Sequence, residues 1–145
     1  MISCFDSSLL LSILLNEPRA GEASVIWKSN DVRVSSILLK LETNIVLRRR
    51  YKQLKNEVSN DWLKEKLFEL NSFFKEFFFA DINDNFENSA SKYYDTLSKC
   101  KSLDAIHIAT VLDISEKYDK SEICVCSFDN NMLALAKQLG FNTRG

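Results

Sequence analysis

Asp6, Glu42, Asp104 and Asp129 are the residues whose type and setting suggest chemistry. Of 20 acidic residues, these four are flanked by apolar runs, which hold an acid near a core. Ser3-Cys4-Phe5 precedes Asp6, Leu38-Leu39-Lys40-Leu41 precedes Glu42, Leu103 and Ala105-Ile106 bracket Asp104, and Cys126-Ser127-Phe128 leads to Asp129. Gathered in one place, four carboxylates repel and raise one another's pKa unless a cation neutralises them. An all-oxygen donor set selects Mg²⁺ or Mn²⁺. Such an ion polarises a phosphodiester and activates water, with no need for a histidine or cysteine nucleophile. Plainer roles are also open. Asp6, Asp104 and Asp129 all sit at helix starts, where an aspartate cap contributes about 0.5–2 kcal/mol without any function. Glu42, in mid-helix, could instead pair with a buried arginine. Asp113 is set aside, because nine residues from Asp104 is a rotation of about 180° on a helix.

Positioning these acids requires elements that end beside one another. Ile2 to Phe5 reads as a strand, Asp6-Ser7-Ser8 as a turn, and Leu9 to Leu15 as a buried helix. A helix from Pro18 through Ser29 ends at the polar break Ser29-Asn30-Asp31, and a second strand follows at Val32 to Ser35. A long helix starts at Ser36, with Leu38, Leu41, Ile45 and Val46 on one side. With Trp62 to Phe74 it makes a helical hairpin, about residues 36–78, expected to project from the core. Phe77-Phe78-Phe79 suits a third strand. Asp84 to Cys100 reads as one polar amphipathic helix, and Ser102 to about Tyr118 as a more apolar one. A fourth strand spans Glu122 to Phe128, a helix runs from Met132 to Leu139 before Gly140, and Phe141 to Thr143 adds an edge strand. Strands separated by helices pair in parallel. The expected fold is therefore a three-layer α/β/α domain over 1–145 with a short central sheet of four or five strands. Asp6 and Asp129 then lie just past strand ends, where open parallel sheets bind ligands. Glu42 and Asp104 open toward the same edge.

The composition narrows the function classes. The chain has 145 residues, 46% of them apolar, with 3 Gly and 1 Pro, which disfavours a hairpin-rich β fold or a flexible linker. Nineteen basic against 20 acidic residues leave a net charge of −1, so nucleic-acid contact must come from local charge. Arg48, Arg49, Arg50 and Lys52 supply such a segment, able to hold nucleic-acid phosphates or simply to form a solvated face. Phe73, Phe74, Phe77, Phe78 and Phe79 read as core or dimer contacts rather than base-stacking platforms. His107, three residues after Asp104, is either a proton carrier or a packed hydrogen-bond donor near the sheet. The four cysteines are expected to be reduced and mostly buried, with no zinc site. The apolar run Leu9 to Leu15 is too short to cross a membrane and lacks the flanks of a secretory signal, so a cytoplasmic location is expected.

Four segments also stand in a recognisable order. They are Phe5-Asp6-Ser7-Ser8 with Glu17-Pro18-Arg19; Ser35-Ser36-Ile37 through Leu41-Glu42; Leu103-Asp104-Ala105-Ile106-His107-Ile108-Ala109-Thr110; and Ser127-Phe128-Asp129 with Leu135-Ala136 and Leu139-Gly140-Phe141. Over essentially the whole chain they resemble the acidic motifs of the PIN domain, and within it the VapC-type ribonuclease toxins of type II toxin–antitoxin systems. The resemblance implies a PIN-like fold and a Mg²⁺- or Mn²⁺-dependent endoribonuclease that cuts RNA in single-stranded or loop regions. It also implies a homodimer, or a larger toxin–antitoxin assembly, inhibited by a cognate VapB-like antitoxin whose tail covers the site. By the same resemblance Asp6 and Asp104 are the principal metal ligands, Glu42 binds metal or orients the attacking water, and Asp129 binds directly or through water. Ser7 and Ser127 would hydrogen-bond water or carboxylate oxygens. The region from Tyr51 to Phe79 matches nothing specific and is expected to govern partner choice. A housekeeping RNA-processing nuclease and a catalytically silent PIN-like binding module are the alternatives.

Overall fold

Short runs rich in β-branched, aromatic and cysteine residues form the first four strands, a three-residue polar run forms the fifth, and amphipathic stretches between them form the helices. The computed structural model describes residues 1–29 and 31–145. Its elements are β1 (Ile2–Phe5), α1 (Ser7–Leu14), α2 (Ala20–Trp27), β2 (Val32–Ser36), α3 (Leu38–Leu54), α4 (Trp62–Phe74), β3 (Phe77–Ala80), α5 (Asp84–Ser91), α6 (Tyr94–Leu97), α7 (Ser102–Ser115), a 3₁₀ turn (Lys120–Glu122), β4 (Ile123–Cys126), α8 (Asn130–Gln138) and β5 (Asn142–Arg144). Asn30, the centre of the expected break, lies outside the described residues.

Among the described residues the strands form one all-parallel sheet in the order β3-β2-β1-β4-β5. This is the expected α/β/α architecture. The chain winds outward from β1 to β3, then returns across the sheet to β4 and β5. Alternating strand side chains feed two cores. Phe5, Cys124 and Cys126 pack under α1–α4 with Leu9, Leu10, Leu14, Trp27, Leu39, Leu47 and Leu70, while Cys4 and Val125 pack under α5–α8 with Ile108, Leu112, Met132 and Leu135. The reversal of winding falls between β1 and β4. Their carboxyl ends therefore form the crevice that such sheets offer to ligands.

Three expectations about elements need correction. The single helix over Asp84 to Cys100 is two helices, because serine hydroxyls compete for helical carbonyls. Ser91 Oγ takes Asn88 O at 2.9 Å, the acceptor that a continuing helix would offer to Lys92, and Ser98 Oγ takes Asp95 O at 2.6 Å. The buried stripe of α3 is Leu39, Thr43 and Leu47, whereas Leu41 and Ile45 are 57% and 38% exposed. Packing against α1 and α4 selected the stripe one position over. Ser36 closes β2 rather than opening α3, and its Oγ accepts a hydrogen bond from Leu38 N–H at 3.2 Å.

The aromatic run divides by strand alternation. Phe77 and Phe79 turn inward toward Trp27, Phe73 and Phe74, while Phe78, on the other face of the edge strand, is 70% exposed. Cys4, Cys124 and Cys126 are buried free thiols, and Cys100 is a half-buried one. Among the described residues no helix is long and apolar enough to cross a membrane.

Candidate active site

Asp6 follows β1 directly and is 6% exposed. It is the N-cap of α1: Oδ1 accepts from Ser8 N–H at 3.0 Å and from Ser8 Oγ at 2.5 Å, while Oδ2 accepts from Ser127 Oγ at 2.5 Å. Asp129, three residues after β4, is the N-cap of α8, and its Oδ1 accepts from Asn131 N–H at 2.8 Å and Met132 N–H at 3.1 Å.

Two serine hydroxyls stitch these turns together. Ser127 Oγ donates to Asp6 and accepts from Asp129 N–H at 2.9 Å; Ser8 Oγ donates to Asp6 and accepts from Phe128 N–H at 2.9 Å. Each hydroxyl uses both of its capacities, so the β1–α1 and β4–α8 turns are held in one geometry. Ser8 was missed by sequence reasoning. Its position two residues after a capping aspartate is the local signal that marks it.

Glu42 reaches the crevice from the second turn of α3. Its Oε2 accepts from Ser7 Oγ at 3.0 Å, and its Oε1 lies 2.6 Å from His107 Nε2 on α7. The expected alternative for Glu42 was an arginine; the partner is a histidine. His107 is itself 7% exposed and lines a narrow crevice with Asp6, Ser36 and Thr110.

Asp104 stands in the first turn of α7 but caps nothing, and among the described residues its carboxylate has no hydrogen-bond partner. Two of the three aspartates thus cap a helix and the third does not. Arg48 donates to Asn44 O and Oδ1, both at 3.0 Å, and Arg50 lies 4.0 Å from Glu17; Arg49 and Lys52 are exposed on the later turns of α3.

Electrostatics couples Asp104 to Asp129 and Glu42. Burial raises the pKa of Asp104, and the negative charge of Asp129 raises it further; Glu42 adds to this while His107 and Lys101 oppose it. Burial also pushes the Asp6 carboxyl up, against the pull of its hydrogen bonds from Ser127 and Ser8 and the charge of His107. Cys100 borders the same cleft: burial raises its thiol pKa, with Asp104 and Asp129 contributing. Nothing in its sequence spacing marked this thiol.

Among the described residues, no three Asp, Glu, His or Cys side chains stand close enough to grip one ion as they lie. The donor chemistry nevertheless fits a hard dication. The acids offer oxygen only, and Asp104 carries an unengaged carboxylate whose repulsion by its neighbours a cation would relieve.

At the rim, the Arg19 guanidinium lies over the Phe128 ring, 3.8 Å from its centroid, and donates from Nε and Nη2 to Glu22. This places a flat cation beside the turn that carries Asp129. Neither residue was singled out as a site residue from sequence.

Comparison with known proteins bears on the fold and the family. No curated protein matches the sequence. Solved structures of similar fold include VapBC2 from Rickettsia felis bound to a DNA fragment from its promoter, at 8% identity and TM-score 0.69, covering 99% of this chain and 98% of that one. VapBC-1 from nontypeable Haemophilus influenzae aligns at 13% identity and TM-score 0.62, covering 99% and 97%. Mycobacterium tuberculosis VapC20, described as a sarcin–ricin loop cleaving toxin, aligns at 18% identity and TM-score 0.62, covering 96% and 95%. At these identities the likeness establishes the fold. The PIN domain family model matches residues 3–140, nearly the full sequence, and the chain belongs to the PIN domain family.

Proposed function

We propose that this protein is a divalent-metal-dependent endoribonuclease, the toxin of a type II toxin–antitoxin pair. The observation that carries the reading is the placement of Asp104, a carboxylate that caps no helix and, among the described residues, has no hydrogen-bond partner, whose pKa is raised by burial and then by Asp129 and Glu42 at the carboxyl edge of the sheet. A fold gains nothing from bringing like charges together. A site that holds a dication does.

Asp6, Asp104 and Asp129 would hold Mg²⁺ or Mn²⁺, with Glu42 as a further ligand or as the group that orients the attacking water. When bound, the dication supplies Lewis-acid stabilisation of charge on a scissile phosphodiester. The protein's own contribution is positional. Ser8 and Ser127 hold Asp6 in one rotamer, and the α8 cap holds Asp129 with one oxygen outward. Arg48, Arg49, Arg50 and Lys52 on α3 would bind RNA phosphates. The partners in this reading are a VapB-like antitoxin, supported by the likeness to VapBC structures, and a second copy of the chain, in the cytoplasm.

The test is cleavage of a single-stranded RNA by the purified protein with Mn²⁺, with EDTA, and with Asp104→Asn. We expect metal-dependent cutting that EDTA stops, and a loss of at least about 100-fold in the variant. Cleavage undiminished by EDTA or by D104N would overturn the assignment. One observation favours a second reading, a silent PIN-like binding module: Asp6 and Asp129 do serve as helix caps. Calorimetric titration with Mn²⁺ separates the two, since caps alone give no saturable site.

A further inference from the structure

Glu42 is the acid of the cluster with the longest reach and the least intrinsic order. It projects from α3, a helix whose outward residues Leu41 and Ile45 are exposed, and its side chain has three rotatable bonds. Even so, both of its carboxylate oxygens are committed. Ser7 Oγ, from the first residue of α1, donates to Oε2 at 3.0 Å, and His107 Nε2, from the second turn of α7, lies 2.6 Å from Oε1. Three elements that pack separately against the sheet thus converge on one side chain. An ionised carboxylate only accepts, so the contact requires the proton on Nε2.

We propose that His107 is a positioning residue that fixes the Glu42 carboxylate toward the acid cluster. The proposal rests on the nuclease reading above and assigns His107 no contact with RNA, metal or the reacting atoms. Two features favour positioning over a purely structural role. The side chains of His107 and Glu42 are 8% and 18% exposed, so the pair is largely desolvated, an arrangement that contributes little net stability compared with apolar packing. The residues that follow His107 on α7 fill the core as Ile108, Ala109, Val111 and Leu112, so an apolar side chain would serve packing alone. The 2.6 Å contact also argues against a mobile proton carrier: Nε2 points at Glu42 and is held there. A carboxylate gripped at both oxygens keeps one plane and one rotamer, which is the orientation that holding a water or an ion edge demands.

The experiment compares wild type, His107→Leu, His107→Gln and His107→Asn, each with Glu42 intact and in an E42A background. Glutamine carries an amide nitrogen to the position of Nε2, whereas asparagine reaches only the position of Nδ1. Three quantities are read: Mn²⁺ affinity by calorimetry without RNA, kcat and KM on a single-stranded RNA, and the unfolding midpoint in EDTA. With Glu42 present, H107L and H107N should lower kcat about tenfold and weaken Mn²⁺ binding several-fold. KM for RNA should stay near wild type, and H107Q should recover most of both losses. In the E42A background, where no acceptor remains, the His107 substitutions should change neither quantity, because their effect passes through Glu42.

Losses of equal size in both backgrounds would overturn the proposal, as would losses that follow the unfolding midpoint while H107Q behaves like H107N. The Gln–Asn contrast keeps the test decisive where H107L fails to fold. If wild type binds Mn²⁺ and cleaves RNA while H107L and H107N match it, only the positioning role fails. If wild type neither binds Mn²⁺ nor cleaves, the nuclease reading fails, and this proposal with it.

Discussion

At the scale of single residues, the four acids do not carry equal structural burdens. Asp6 and Asp129 each spend one oxygen capping a helix, and Glu42 spends both on Ser7 and His107; among the described residues Asp104 has no such partner. Its raised pKa has a thermodynamic corollary. A carboxyl whose folded pKa lies above its unfolded value favours folding when protonated, so its contribution is fully present below the unfolded pKa and is lost as pH rises through the folded one. Near neutral pH Asp104 is therefore a cost to the metal-free fold. In EDTA, Asp104→Asn should raise the unfolding midpoint at pH 7, by about 2–4 °C for each kcal/mol of repulsion and desolvation released. The advantage should vanish as pH falls toward about 4, the ordinary range of aspartate. Adding Mn²⁺ at pH 7 should raise the midpoint of wild type and leave the variant unmoved, since only a protein that binds the ion gains by mass action. A midpoint for D104N below wild type at pH 7 in EDTA would show that Asp104 stabilises the fold instead.

At the scale of elements, helix α3 shows how far periodicity can be trusted. Its apolar residues Leu38, Leu39, Leu41, Ile45, Val46 and Leu47 crowd more than half of the helix surface, so spacing alone leaves the buried stripe ambiguous by one position. Packing against α1 and α4 resolves it: Leu39 and Leu47 are completely buried, with Thr43 between them returning its hydroxyl to Leu39 O at 2.7 Å. Leu47→Ala should then cost about 2–5 kcal/mol. Leu41→Ala, on the outward side, should change stability by no more than about 0.5 kcal/mol. Urea unfolding of the two variants checks the pair, and equal losses would return Leu41 to the core. The break between α5 and α6 escaped periodicity for another reason. Phe86, Ala90, Tyr93 and Leu97 keep a nearly helical spacing across it, and the Ser91 hydroxyl competes for a carbonyl at the break, while that of Ser98 does so just past α6.

At the scale of the whole molecule, a net charge of −1 conceals a division between an acidic crevice and a basic stretch of α3. If that stretch holds RNA, Arg49→Ala with Lys52→Ala should weaken binding and flatten its salt dependence, by roughly 0.7 in log–log slope for each phosphate no longer neutralised. Filter binding across a salt series in EDTA reads this directly, and an unchanged slope would return the segment to a solvated face. The parallel pairing follows from alternating strand and helix signals, whereas the order β3-β2-β1-β4-β5 was decided by packing. The acids' addresses were legible from the same signals: Asp6 and Asp129 follow strands that could be recognised from hydrophobicity, and strand ends in such sheets face one edge. Which groups the acids touch was decided only in three dimensions. Ser8, Ser127 and His107 meet their partners across 2, 121 and 65 residues of chain. The two longer pairings depend on the depth of a turn and the tilt of a helix, quantities set by the packing of both cores rather than by local residue preference. Hydrophobic pattern acts along the chain and so can be read from it; the direction of a hydrogen bond or the reach of a charge exists only once distant segments have been packed together.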